Sequence, residues 1–128
     1  MGRINLLSCL DKRELLNQSA VSVDKLLKWA VLYEQEGMLS DAVDFYERAN
    51  AAESLEKLLN VAREEGDTFL VGRILRALNR EIPAQEWVSL GERARELGKH
   101  AYAREALRRG GIDVAATEMT APNEDAAS

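Results

Sequence analysis

Proline, cysteine and histidine are scarce in this sequence of 128 residues, which contains two prolines, one cysteine and one histidine. A lone cysteine has no intramolecular disulfide partner, and we expect Cys9 to be a small buried hydrophobe. His100 has no neighbouring Cys or acidic pair, so we expect it to face solvent rather than to form a metal site or a catalytic triad. With only eight glycines in addition, the composition excludes fibrous and linker-rich proteins.

Long apolar segments and excess positive charge are also missing. No apolar run approaches the roughly 18 residues of a membrane span, and residues 1–7 are too short and interrupted for a signal peptide. We therefore expect a cytoplasmic protein without a membrane partner. The 17 Lys and Arg against 22 Asp and Glu leave a net charge of -5. A net negative charge does not favour binding to the phosphates of nucleic acid, so nucleic acid is not an expected partner.

Motifs that carry catalysis or bind cofactors are absent from the sequence as well. It has no Gly-rich phosphate loop, no nucleophile elbow and no Cys-x-x-Cys pair. Paired carboxylates such as Glu64 and Glu65 are typical of the solvated face of a helix rather than of an acid and base pair. The sequence therefore predicts a protein that is not an enzyme and takes no cofactor and no metal.

What the sequence does have is an apolar spacing of i, i+3, i+4, i+7 that recurs six times. This spacing aligns four side chains on one face of an α-helix, so it predicts six amphipathic helices. The six sets are Leu26, Trp29, Ala30 and Tyr33; Ala42, Phe45, Tyr46 and Ala49; Leu55, Leu58, Leu59 and Ala62; Val71, Ile74, Leu75 and Leu78; Trp87, Leu90, Gly91 and Ala94; and Ala103, Ala106, Leu107 and Gly110. Their aromatic members, Trp29, Tyr33, Tyr46 and Trp87, are predicted to lie in the core rather than to form a ligand pocket.

Residues that favour helix starts occur in the expected places. Ser22, Ser40 and Asp67 are candidate N-caps, because their side chains accept hydrogen bonds from the first free backbone amides. Pro83 suits a first helical position, where its missing N–H costs nothing.

The most complete copy of the pattern consists of Trp87, Leu90, Gly91, Ala94, Ala103 and Leu107. It resembles the W-x2-L-G-x2-Y and A-x3-F signature of tetratricopeptide repeats, in which each repeat is a helix-turn-helix unit. The resemblance implies an all-α fold, a right-handed α-solenoid of about three antiparallel helical hairpins. A degenerate hairpin array of the coat-protein or clathrin-repeat kind would leave similar traces.

Three glycines, Gly37, Gly66 and Gly98, each fall between the two helices of a predicted pair. A helix that ends in the left-handed conformation favours glycine there, because a Cβ adds a steric penalty. Both intervals between successive glycines fall short of the roughly 34 residues usual for the family. We therefore expect shortened links between repeats.

The stretch before the repeats, residues 1–21, holds two short apolar clusters. The spacing of Ile4, Leu7 and Leu10 predicts a short helix, and we expect this N-terminal segment to cap the exposed apolar end of the first repeat. The helical-repeat domain itself is predicted to span residues 22–111.

In residues 112–128 the apolar helical spacing stops, and acidic residues are no longer mixed with basic ones. The segment carries Asp113, Glu118, Glu124 and Asp125 without a single Lys or Arg. So little apolar surface cannot offset the entropy of ordering, and we predict an acidic disordered tail. Whether this tail docks on the repeats is a question that its composition leaves open.

The resemblance also implies where a partner would bind. In such repeats the inner groove is lined by the first helix of each pair, at positions that point away from the packing stripes. For this chain those positions are Leu27, Val31, Glu34, Gln35, Glu56, Asn60, Arg63, Glu64, Val88, Glu92, Arg95 and Glu96. Aliphatic side chains on a groove suggest that a peptide or a helix is laid there.

Two functions are therefore expected of this chain as alternatives. The first is a non-catalytic protein–protein interaction module, an adaptor or scaffold that holds a peptide or helix of a partner protein in its groove. The second is a structural subunit that self-associates as a homodimer through exposed aliphatic faces, since three repeats are close to the minimum for stability.

Overall fold

The computed structural model describes residues 6–18 and 20–112, and within them the chain is helical without any β-strand. The predicted all-α class is thereby confirmed. The seven helices of these residues are α1 (Cys9–Asn17), α2 (Val23–Gln35), α3 (Leu39–Arg48), α4 (Ala52–Glu64), α5 (Thr68–Ala77), α6 (Ala84–Glu96) and α7 (His100–Arg109). None of these helices is long and apolar enough to cross a membrane. The predictions for Ile4 and for the tail from residue 113 onward lie outside the described residues.

Helices α2 to α7 correspond to the six predicted stripes and alternate in length. The helices α2, α4 and α6 have 13 residues each, whereas α3, α5 and α7 have 10. Three residues link α2 to α3, α3 to α4, α4 to α5 and α6 to α7, but residues 78–83 form a longer link before α6. This longer link explains why the interval from Gly66 to Gly98 exceeds the interval from Gly37 to Gly66.

The same hydrogen-bonded turn ends each of these six helices. At the end of α2, Gly37 has φ +77°, its N–H donates to the carbonyl of Glu34 at 3.0 Å, and the Met38 N–H donates to that of Tyr33 at 2.9 Å. This pair of bonds is the Schellman motif, which satisfies the last carbonyls of a helix. The residues with positive φ in these turns are Gly37, Asn50, Gly66, Asn79, Gly98 and Gly111.

Asparagine therefore adopts the positive φ at two of these helix ends, and glycine adopts it at the other four. Asn50 ends α3 with φ +56°, and Asn79 ends α5 with φ +54°. Asparagine is enriched several-fold among non-glycine residues in the left-handed region. The interval between the two asparagines equals the interval from Gly37 to Gly66. The repeat is thus visible at the ends of the short helices as well as at the ends of the long ones.

Two of the predicted N-caps are confirmed. The Ser22 hydroxyl accepts a hydrogen bond from the Lys25 N–H at 3.2 Å, and Asp67 Oδ1 accepts one from the Leu70 N–H at 3.1 Å. Each bond satisfies an amide that has no partner inside the first turn of its helix.

The other two predicted helix starts are displaced by a residue or two. Helix α3 begins at Leu39 after Met38, so Ser40 lies inside the first turn and caps nothing. The reason is the tight turn before it, because the Met38 carbonyl already accepts the Ala42 N–H at 3.1 Å. Pro83 is the N-cap of α6 rather than its first helical residue.

The N-terminal helix has a different register from the predicted one. Helix α1 begins at Cys9. Ser8 is its N-cap, and the Ser8 side chain accepts a hydrogen bond from the Asp11 N–H at 3.1 Å. Leu10 is consequently 61% exposed, and Leu15 is the side chain that α1 buries. Cys9 is exposed as well, so the prediction that it is buried was wrong.

The described residues divide into two compact units, one made of those up to residue 60 together with 73–80, and the other made of 61–72 together with 81–112. In the first unit α2 and α1 both pack against α3. The stacked rings of Tyr33 and Phe45, whose centroids are 5.4 Å apart, lie in its core. In the second unit α6 packs against α7. Helices α4 and α5 contribute residues to both units.

The second unit has a close helix contact at Gly91. A Cβ built on Gly91 would lie 2.9 Å from Leu107 Cγ and 3.2 Å from the Ala103 carbonyl oxygen. Glycine at this position therefore lets α6 approach α7 closely. Trp87, predicted to be core, is only half-buried, and the Arg109 guanidinium lies over its ring at 4.9 Å. Trp29 is half-buried too, while Tyr33 and Tyr46 are buried as predicted.

Candidate protein-binding site

All twelve predicted groove residues lie on α2, α4 and α6, and none of them is buried. They occupy four equivalent positions in the three long helices, and they divide evenly between the two compact units. The first unit contains Leu27, Val31, Glu34, Gln35, Glu56 and Asn60, and the second contains Arg63, Glu64, Val88, Glu92, Arg95 and Glu96. The packing of the helices thus leaves these positions accessible to solvent.

Helix α2 of the first unit presents an apolar stripe to solvent. Val23 is 53% exposed and Val31 is 42% exposed, with the half-buried Leu27 midway between them. Residues spaced by four lie on the same side of a helix, one turn above the other. Met38, which follows α2, is another exposed apolar side chain, at 41%.

Acidic groove residues of the first unit already have partners. Glu34 Oε1 accepts a hydrogen bond from the Tyr46 hydroxyl at 2.7 Å. Burial raises the pKa of Tyr46, and the neighbouring Glu34 raises it further. Glu56 pairs with Arg80. These carboxylates are fixed by the fold, which reduces their freedom to meet a ligand.

The second unit contains a pocket of about 280 Å³ lined by the C-terminal part of α4, the link before α6 and α6 itself. Its lining residues are Arg63, Ile82, Glu86, Ser89, Leu90 and Arg93. Leu90 is buried and Ile82 is half-buried, so the inner wall is apolar. Of the polar lining residues, Arg63 is half-buried, and Glu86, Ser89 and Arg93 are exposed. The pocket therefore joins an apolar surface to a polar edge.

Two guanidinium groups define the electrostatics of this pocket. Arg63 Nη2 lies 3.1 Å from Glu86 Oε1, and both side chains are more than a third exposed. Arg93 Nε donates to the Glu64 carbonyl at 2.9 Å, and its Nη1 lies 3.7 Å from Glu96 Oε1. Each arginine carries five N–H donors. These contacts orient the two side chains and leave donors that a bound carboxylate can use.

The pocket contains one residue from the predicted groove, Arg63, and adds others that the repeat pattern did not indicate. Arg93, Glu86 and Ser89 lie on α6 at positions that belong neither to the predicted packing stripe nor to the predicted groove. The position of Ile82 did have a sequence signal, because a residue before proline is restricted to extended conformations. Pro83 and the longer link before α6 together present Ile82 at the pocket.

A second concave surface, of about 450 Å³, belongs to the first unit, and its charges are matched within the fold. Lys12 Nζ bridges Asp41 and Asp44 at 2.5 and 2.7 Å. Arg73 bridges Asp44 and Glu47, both at 2.6 Å. Burial opposes the charge on Lys12, but the hydrogen bonds that its ammonium donates to the two aspartates leave its pKa raised.

That network has a structural role, since Lys12 fastens α1 to α3. Arg48 reinforces the same junction by donating to the carbonyls of Leu16 and Gln18 at 3.0 and 2.6 Å. The ion pairs of this surface are shorter and less exposed than those of Arg63 and Arg93. It is therefore a weaker candidate for ligand binding than the pocket of the second unit.

The single cysteine and the single histidine are exposed and belong to different units. His100 is exposed at the start of α7, as predicted from its position, and Cys9 is exposed at the start of α1. Within residues 6–18 and 20–112, no three His, Cys, Asp or Glu side chains come together as a group that could hold a metal ion.

Comparisons with known proteins returned no relative of this chain. No protein-family model, no curated protein and no solved structure matches it.

Proposed function

We propose that this protein is a non-catalytic interaction module, an adaptor or scaffold that binds a segment of a partner protein. Its architecture in this proposal is a tetratricopeptide-like, right-handed stack of three antiparallel helical hairpins. The alternation of helices with 13 and 10 residues supports that architecture. The six identical helix ends support it as well, since regular turns are needed for a regular stack.

The observation that carries the functional proposal is the pocket of the second unit, with its apolar wall and its two arginines. Peptide-binding surfaces combine apolar pockets for side chains with a few polar groups that fix orientation. An apolar ligand side chain would cover Ile82 and Leu90. A carboxylate next to it would accept hydrogen bonds from Arg63 and Arg93, and guanidinium groups suit this because they bind carboxylates in bidentate fashion.

The partner segment is therefore defined by its chemistry as an acidic residue adjacent to an apolar one. Charge-assisted hydrogen bonds of this kind are worth about 1.5–3 kcal/mol each where water is excluded. The proposal does not require the segment to be helical or extended, because the pocket is local. Longer segments would meet further groove residues on the same helices.

Fluorescence anisotropy with short labelled peptides tests this function. The test peptide has a single Glu-Leu pair in a neutral Ala-Thr background, and the control peptides have Lys-Leu and Glu-Ser at the same place. We expect the full chain to bind the Glu-Leu peptide most tightly. Equal binding of the three peptides would contradict the proposal.

A matched pair of variants locates the binding. Arg63→Glu reverses a charge at the pocket, whereas Arg95→Glu reverses one at the equivalent position of α6, outside the pocket. We expect Arg63→Glu to weaken the Glu-Leu peptide by roughly tenfold or more, the factor that corresponds to 1.4 kcal/mol. Arg95→Glu should leave binding close to the parent. The opposite ranking would place the site elsewhere on the α6 surface.

Self-association is the second candidate function, and the exposed stripe of Val23, Leu27 and Val31 on α2 supports it. A second copy that covered this stripe would remove apolar surface from water. Light scattering on the full chain decides between monomer and dimer. If a dimer forms through this stripe, Val31→Glu dissociates it, while Asn60→Glu at the equivalent position of α4 does not.

A further inference from the structure

Helix α2 carries two opposite charges beside its apolar stripe of Val23, Leu27 and Val31. Asp24 and Lys28 are both exposed, and among residues 6–18 and 20–112 neither forms an ion pair. Each directly follows a stripe residue, so the two charges flank the stripe on the same side, one helical turn apart. A carboxylate and an ammonium thus remain available at the edge of exposed apolar surface.

The order of these two charges along α2 is self-complementary. When a two-fold axis relates two antiparallel copies of a helix, the same flank of each copy lies on the same side of the contact. The register that places Asp24 level with Lys28 of a second copy therefore also places Lys28 level with Asp24 of that copy. In a parallel pair the two charged flanks lie on opposite sides of the contact, so these charges do not meet.

The same register fits the apolar stripe. With Asp24 level with Lys28 of the second copy, the three stripe residues of one copy lie level with positions 29, 25 and 21 of the other, none of which belongs to the stripe. Leu27 falls midway between Leu27 and Val23 of the second copy, about 3 Å from each along the helix axis. Side chains of one helix then enter gaps between those of the other, which is how packed helices interdigitate.

We propose that the protein forms a two-fold symmetric homodimer in which α2 packs antiparallel against α2 of a second copy, with Asp24 of each copy paired to Lys28 of the other. The inference rests on the second candidate function, self-association, and gives it a register and a charge pair. One helix of 13 residues from each copy is a small contact. Small interfaces belong to weak, transient complexes, so the dimer dissociates on dilution. Unfolding and peptide-binding measurements on dilute protein therefore report on the monomer.

The pairing assigns the two candidate functions to different parts of the chain. It covers Leu27 and Val31, two of the predicted groove residues, which belong to the first unit. The pocket with Arg63 and Arg93 belongs to the second unit. Self-association and peptide binding then use separate residues, and each dimer carries two copies of the pocket.

Charge exchange tests the pairing in the full chain. Sedimentation of a dilution series up to about 1 mM, the range of weak complexes, gives the dissociation constant of the dimer. Asp24→Lys and Lys28→Asp each place like charges opposite one another twice because of the symmetry, and we expect each to raise the dissociation constant about tenfold or more. The double variant Asp24→Lys, Lys28→Asp should return it to within about threefold of the parent. A double variant as weak as the single ones would overturn the proposal.

Lys25→Asp is the matched control for Lys28→Asp. It makes the same change in net charge on the same helix, but position 25 is exposed about 160° around α2 from Leu27. We expect its dissociation constant to equal that of the parent. An effect as large as that of Lys28→Asp would show that net charge, and not the pair, controls association.

Cysteine cross-linking tests the antiparallel register independently. In a Cys9→Ser background, Leu27→Cys brings two thiols to within about 3 Å of one another along the axis, whereas Val31→Cys leaves them about 15 Å apart. A disulfide requires Cβ atoms about 3.5–4.5 Å apart. We expect faster intermolecular disulfide formation with Leu27→Cys, although Val31 is the more exposed side chain. Equal rates, or a faster rate with Val31→Cys, would overturn the register.

The outcomes separate this inference from the functions on which it builds. A dimer that Val31→Glu dissociates but that both charge reversals leave unchanged overturns the proposed pairing and leaves self-association intact. A monomer throughout the dilution series overturns both. Peptide binding at the pocket of the second unit is measured on dilute protein, so its success or failure is independent of either result.

Discussion

The first and last helix pairs have the same backbone plan but fill their interiors in opposite ways. Between α2 and α3 the space is taken by the rings of Tyr33, Phe45 and Tyr46, all of them buried. Between α6 and α7 none of the buried residues is aromatic and most are glycine or alanine, and Gly91 lets the two helices approach. Ala106 of α7 occupies the position that corresponds to Phe45 of α3, and both side chains are fully buried.

The difference shows that a helix pair of this length tolerates two solutions to the same packing requirement. Protein interiors are packed to nearly constant density, so large side chains go with wider helix spacing and small ones with closer spacing. The apolar spacing along the sequence is the same in both pairs. Its consequences for stability are different, and the following substitutions measure them.

The largest effect is expected in the pair of α2 and α3, which we call the aromatic pair. Phe45→Ala removes a ring with no solvent exposure that stacks on Tyr33, and it should lower the free energy of unfolding by about 3–5 kcal/mol. Urea unfolding followed by circular dichroism measures the change. Val31→Ala, on the exposed face of α2, is the control and should stay within about 0.5 kcal/mol. If the two variants unfold alike, the ring does not stabilise this pair.

The pair of α6 and α7, which we call the small-residue pair, should be destabilised most by substitutions that overpack it. Gly91→Val introduces side-chain atoms where even a Cβ would lie 2.9 Å from Leu107 Cγ, and we expect a loss of about 1–3 kcal/mol. At the equivalent place in the aromatic pair, Ala30→Gly should cost about 1–2 kcal/mol, through backbone entropy and the loss of a fully buried methyl group. Both are measured by urea unfolding. A stabilised Gly91→Val variant would show that α6 and α7 are not in close contact.

A smaller effect is expected from the charge network that accompanies the aromatic pair. Lys12→Met removes the ammonium that bridges Asp41 and Asp44. Because the aspartates are about a third exposed, the loss should be about 1 kcal/mol and should shrink in high salt. Lys28→Met on the exposed face of α2 serves as the control. An unchanged salt dependence in Lys12→Met would mean that this network does not stabilise the first unit.

The smallest effect is a pH dependence at the end of the small-residue pair. Hydrogen bonds from Arg108 and Arg109 lower the pKa of Glu105 from 4.5 to about 2. A carboxyl whose pKa is lower in the folded state stabilises above its unfolded pKa and loses that contribution as the pH falls. The melting temperature of Glu105→Gln should therefore lie slightly below that of the parent at pH 6. The difference should vanish between pH 4.5 and about 2, and a constant difference across this range would contradict the assignment.

Much of the helical framework could be predicted from the sequence because it depends on local chemistry. The spacing of Leu26 and Tyr33, the Ser22 cap and the glycine at Gly37 act within one or two helical turns. The asparagines at the ends of α3 and α5 were missed for a simple reason. Asparagine is compatible with many conformations, so only the turn geometry at Asn50 reveals that it takes the place of glycine.

The candidate site was predictable only in part. The repeat spacing correctly kept Arg63 and its equivalents out of the core, but it did not indicate that Arg63 meets Glu86, which lies 23 residues away. Nor did it bring Arg93 and Ile82 to the same pocket. Ion pairs and pockets between separate helices depend on how the helices pack, and the apolar spacing of one helix contains no information about the charges of the next.

The sequence by itself thus determined where α2 to α7 lie, how three of them end and which faces are apolar, because these follow from backbone conformation and the 3.6-residue period. Tertiary structure alone decided the register of α1, the half-burial of Trp87 under Arg109 and the pocket beside Leu90. Each of these depends on side chains that are distant in sequence and compete for the same volume and the same hydrogen-bond partners. That competition is settled only when the helices pack together.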